Sequence, residues 1–77
     1  MTPTTLTEIV ARGDLFGYLP EPPPSPSAIA VDRELCEALV CQHCGHRGLS
    51  YEPFVRHSTG SYRVFAVCPS CAATVEV

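Results

Sequence analysis

Apolar residues recur along this chain at two different spacings, and the change from one to the other marks the elements. Leu6, Ile9 and Val10 stand at i, i+3 and i+4, on one face of a short helix. Thr5 with Glu8 three residues on fits a capping box ahead of that face. Gly13 sits where a helix commonly ends, so the pattern predicts a helix from Leu6 to Arg12. A helix this short is not stable alone and has to dock on something. An apolar and aromatic cluster follows, Leu15, Phe16, Tyr18 and Leu19.

From Ala28 to Val40 the two periods compete. Val31, Leu35, Ala38 and Leu39 fit one helical face opposite Asp32, Arg33, Glu34 and Glu37, with Ser27 as a possible cap, whereas Cys36, Ala38 and Val40 alternate as in a strand. We favour a strand from about Leu35 to Cys41, preceded by a helical turn or an extended lead-in. Leu49 to His57 reads as a second strand that Pro53 confines to an edge or a bulge. Ser58 to Ser61 is a turn, and Tyr62 to Val67 alternates as a third strand. Ala73 to Val77 can close the sheet. The expected core is Leu39, Leu49, Tyr51, Phe54, Val64, Phe65 and Val75.

Between the apolar arm and these strands, Pro20 to Pro26 holds five prolines in seven residues. Such a run excludes helix interior and sheet, and as polyproline II at ~3.1 Å per residue it spans roughly 20 Å. The chain therefore divides into an arm over 1–19, a proline-rich linker over 20–27 and a folded unit over 28–77. The run Pro22 to Pro26 also has the composition of a ligand for an aromatic-lined groove, although a plain linker is the commoner use.

With 77 residues, one small domain is expected, and at this size an apolar core needs a staple. Eight acidic residues face five arginines and no lysine, for a net charge of −3. The balance is uneven: residues 1–40 carry six acids and two arginines (−4), and residues 41–77 two acids and three arginines (+1). Nucleic-acid binding through Arg47, Arg56 and Arg63 is conceivable there, but the chain lacks the basic face that such proteins show. No secretory segment and no membrane-length apolar run is read in the sequence, which places the protein in the cytoplasm without a membrane role.

The staple comes from cysteine. Cys41-Gln42-His43-Cys44 and Cys68-Pro69-Ser70-Cys71 are two C-x-x-C pairs separated by the 23 residues from Gly45 to Val67. A tight turn of that kind aims two sulfurs at one point, and two such turns supply the four soft ligands of a tetrahedral zinc ion. Gly45 follows the first pair, where a positive φ is often needed, while Ala72 holds the corresponding place after the second. Pro69 stiffens the second turn. Disulfides fit poorly with a chain read as cytoplasmic. Cys-Pro-Ser-Cys is similar to a glutaredoxin motif, but that fold needs more chain after it than the six residues here. A zinc deaminase would need H-x-E and P-C-x-x-C.

At these residues the chain resembles the zinc-ribbon class, in which knuckles of the form C-x-x-C-G and C-P-x-C-G hold one zinc between β-hairpins. The matching stretches are Cys41 to Gly45 and Cys68 to Cys71, with Ala72 departing from the second glycine. Rubredoxins look similar at the same knuckles but hold iron, which keeps Fe as the alternative metal and an electron carrier as an alternative role. The resemblance covers roughly residues 36–77. It implies a small, metal-bound, mainly β fold, with a three-stranded antiparallel sheet beside the short N-terminal helix and arm, and it specifies no activity.

Four thiolates close the coordination sphere, so the metal is read as structural and an enzyme is not expected. Cys36 is read as a core residue, and His43, His46 and His57 as exposed. The leading expectation is a protein–protein adaptor or accessory subunit. Its arm residues Leu6, Ile9, Leu15, Phe16, Tyr18 and Leu19 would engage either another protein or the ribbon itself. No small-molecule substrate is expected.

Overall fold

The computed structural model describes residues 2–77. In chain order the elements are α1 (Leu6–Ala11), α2 (Pro26–Ala38), β1 (Ser50–Arg56), β2 (Ser61–Val67) and β3 (Thr74–Glu76). The strands form one antiparallel sheet in the order β1-β2-β3. Tyr51 pairs with Ala66, Pro53 with Val64, Phe54 with Arg63, and Phe65 with Glu76. Side chains alternate between faces along a strand. Phe54, Arg63, Phe65 and Glu76 therefore share one face, and Tyr51, Pro53, Val64 and Ala66 share the other.

The first face is covered by the arm. Thr5 caps α1, its hydroxyl accepting from the Glu8 N–H at 3.3 Å, and Gly13 takes the positive φ that ends the helical turn. The Thr74 N–H donates to the Thr4 carbonyl at 2.7 Å, and Leu19 and Val55 exchange two backbone bonds of 2.8 Å. The arm is thus tied to β3 at one end and to the outer edge of β1 at the other, crossing the sheet between them. Ile9 and Leu15 are buried beneath it with Phe54 and Phe65, and Leu6 and Tyr18 pack at the margin. The two phenylalanine rings meet edge to face at 5.9 Å.

Arg63 locks this layer. Its guanidinium donates to both Glu76 carboxylate oxygens, at 2.8 and 2.9 Å, and to the Asp14 carbonyl, while lying over the Tyr18 and Phe65 rings. Arg63, one of the three arginines named for nucleic-acid binding, ties β2 to the arm and to β3.

The proline-rich segment does not hold the arm away from the body. Pro23 is buried, and the Glu21 carboxylate meets His57 Nε2 on the hairpin at 2.7 Å. A proline gives a ladder no N–H donor, but its ring packs on an apolar surface readily. Ser25, not Ser27, caps the next helix by accepting from the Ala28 N–H at 3.4 Å, and Pro26 occupies the first turn, where its missing N–H costs nothing.

α2 corrects the strand expected over Leu35–Cys41. The helix runs to Ala38, and Val40 makes only a single bridge, with Arg47. The sheet keeps three strands because Thr74–Glu76 supplies the third. A capped helix with proline in its first turn satisfies its own backbone, and Cys36 on its inner face fills the gap over Val64 and Ala66. That packing outweighs a short alternating run. The N–H groups of Leu39 and Leu49 both donate to the Cys36 carbonyl, at 3.3 and 2.9 Å, drawing the helix end against the start of β1.

Pro53 stands on an edge strand as expected. The Val55 N–H points outward to Leu19, and a residue two places away has the same parity, so the N–H that Pro53 lacks would have faced outward too. Of the expected core, Leu49, Phe54, Val64 and Phe65 are buried, and Leu39 and Tyr51 pack against the cluster. Val75 does not belong to it: on the short outer strand it is 52% exposed.

Candidate metal centre

Each knuckle is built by the same pair of backbone bonds. In the first, the Cys41 N–H donates to the His46 carbonyl at 2.8 Å and the Gly45 N–H to the Cys41 carbonyl at 2.8 Å. In the second, the Cys68 N–H donates to Ala73 at 2.8 Å and the Ala72 N–H to Cys68 at 2.9 Å. The residue after each pair turns left-handed, Gly45 with φ +80° and Ala72 with φ +65°. Ala72 is the non-glycine residue that pays the steric cost of that conformation.

The two turns bring the four sulfurs together. Cys41 Sγ lies 3.5 Å from Cys71 Sγ, Cys44 Sγ lies 3.4 Å from Cys68 Sγ, and all four fall within 4.8 Å of one another. A tetrahedron of ~2.3 Å metal–sulfur bonds has edges of roughly 3.8 Å, so the cluster fits one ion at its centre. Cys41 and Cys68 are buried, Cys71 is half-buried and Cys44 faces solvent.

The thiols divide electrostatically. At Cys41 the Cys44 N–H, 3.5 Å from the sulfur, is the largest influence, and with the His43 N–H and neighbouring thiols it outweighs burial, bringing the thiol down to about 6. At Cys68 burial pushes upward, but the N–H groups of Cys71 and Ser70 prevail and the thiol is lowered. At Cys71 the Ala73 N–H pulls downward, yet burial and the three facing sulfurs together push it up to about 12. Four sulfurs in one small volume cannot all ionise by themselves. A cation among them removes that conflict, and a thiophilic divalent ion suits four thiolates.

The ligand set read from the sequence, Cys41, Cys44, Cys68 and Cys71, is brought together in full. Cys36 stands apart as fully buried core, its thiol raised chiefly by burial and then by Asp32 and Glu37. His43, His46 and His57 are exposed. Of the six arm residues, Ile9 and Leu15 are buried and Leu6 and Tyr18 partly so, whereas Leu19 is 52% and Phe16 80% exposed. Reading by sequence missed Arg63 as the arm's anchor. Its place opposite Phe54, two residues before Phe65, is a signal of shared face but not of contact.

A four-cysteine metal-binding cluster on a small antiparallel sheet is consistent with a zinc-ribbon-like fold. No protein-family model, curated protein or solved structure matches the chain. No helix among the described residues is long and apolar enough to cross a membrane.

Proposed function

We propose that this is a small zinc-binding adaptor or accessory subunit of the cytoplasm, in which the ion is structural and non-catalytic and the arm meets another protein. Phe16 carries the reading: a phenylalanine 80% exposed on an arm tied to the sheet at both ends, with Leu19 52% exposed three residues on. Aromatic side chains in that setting are the usual anchors of protein interfaces. Zinc is taken as the ion because a closed four-thiolate set is the usual structural zinc site, and iron, which suits the same tetrahedron, is the alternative. Commitment of Arg63 to Glu76 weakens the case for nucleic acid.

Deleting the arm is a poor test, since it would uncover Phe54 and Phe65. A double substitution, Phe16→Ser with Leu19→Ser, removes the exposed side chains and leaves Ile9 and Leu15 in place. Affinity purification from the native host should lose its specific partners while the melting temperature holds. Recovery of every partner unchanged with the double variant defeats the reading that the arm meets another protein. Elemental analysis of that protein should find about one zinc per chain, and a coloured iron site would replace it.

A further inference from the structure

α2 buries one face and leaves a second apolar face open. Cys36 is fully buried and Ile29 half-buried on the inner side, whereas Val31 is 63% and Leu35 45% exposed. At about 100° per residue, Ala28, Val31, Leu35 and Ala38 form one row at spacings of three, four and three, the seam on which one helix receives another. Asp32 and Glu34 lie on the two flanks of that row, each within about a quarter turn. Arg33, the single basic residue of α2, lies about 200° round from Val31 and its guanidinium stacks over the Tyr51 ring at 5.6 Å. Among the described residues no ion pair engages Asp32, Glu34 or Glu37.

The seam is thus apolar along its middle and carries an unneutralised carboxylate on either side. A second copy of this chain fits it badly. Flank meets like flank in an antiparallel helix pair and opposite flank in a parallel one, and here every such meeting sets acid against acid. We propose that this face of α2 seats a helix of another protein whose apolar stripe is flanked by lysine or arginine. The surface is separate from Phe16 and Leu19 on the arm. Its two exposed large side chains make it a small seat, which suits weak and reversible association.

The test uses the full-length, metal-loaded protein and two synthetic helical peptides of ~18 residues that share one leucine stripe, flanked in one by lysine and in the other by glutamate. The lysine peptide should bind more tightly, more weakly as salt rises, with its amide shifts centred on residues 28–38. Leu35→Asp should weaken it by at least about tenfold, and Glu34→Lys, which leaves one acid and one base on the flanks, should abolish the preference between the peptides. Both changes are on the surface, and an unchanged amide spectrum of the free variant verifies the fold. Shifts centred on the arm or the knuckles overturn the proposal, as does a preference that Glu34→Lys leaves as it was. Dimerisation of the free chain through α2 would also overturn it by making a second copy the occupant.

Discussion

Ala72 holds a left-handed φ of +65° where the first knuckle has Gly45 at +80°. An L-residue there pays roughly 1–2 kcal/mol, partly recovered because alanine loses less freedom on folding than glycine, by about 0.5–1 kcal/mol. Ala72→Gly should therefore stabilise the metal-bound protein by about 0.5–1 kcal/mol. Gly45→Ala should destabilise it by a similar amount, since a Cβ at Gly45 meets nothing within 4 Å and backbone strain is the whole effect. Denaturant melts with metal in place read both, and two changes of the same sign would refute the equivalence of the knuckles. This feature was legible in the chain, because the position after a C-x-x-C turn requires positive φ whatever surrounds it. The exposure of Cys44 beside buried Cys41 was not, since it depends on which side of each knuckle the sheet covers.

Between elements, Arg63 ties the arm to the sheet. Arg63→Met keeps the bulk over Phe65 but gives up the bonds to Asp14 and Glu76. Amides of residues 6–19 should then exchange with solvent faster, while those of β2 keep their protection. Equal loss along β2 would mean that Arg63 supports the strand and not the arm. Glu76 adds a pH dependence. Hydrogen bonds from Arg63 hold its carboxyl below the ordinary carboxylate range. Its contribution is accordingly complete above the unfolded value of about 4.3 and fades as pH falls through the lower folded value. With both side chains partly exposed it amounts to about 0.2–1 kcal/mol, and Glu76→Gln should flatten the acid limb of stability against pH by that much. α1, with Thr5 and Glu8 three apart, was readable because capping is local. The Leu35–Cys41 stretch was misread because its apolar residues satisfy both periods, and only Cys36 seated over Val64 and Ala66 selects the helix.

Across the whole molecule, metal site and core are one structure. Cys41 and Cys68 belong to the buried cluster with Cys36, Leu49, Val64 and Ala66, and β2 carries that cluster on one face and Phe65 on the other. A structural zinc held by such a cluster would contribute on the order of 10 kcal/mol, comparable with the entire stability of a small domain. Chelation should consequently collapse amide dispersion, α2 helicity and the Phe54–Phe65 contact in one transition; an arm layer that outlasts the metal site would show the two clusters to be independent. The sequence alone determined the four cysteines of the cluster, the knuckle turns, the first helix with its cap and the two long strands, and it narrowed Pro53 to an edge or a bulge. Each cysteine pair, turn, cap and strand depends on residues a few positions apart, where backbone geometry leaves few solutions. Tertiary structure decided what lies on what: the arm and the proline segment folded back onto the sheet, α2 as helix, and Val31 and Leu35 facing out while Cys36 faces in. Apolar spacing shows that a face is greasy, and only the shape of the neighbour it meets decides whether that face is buried.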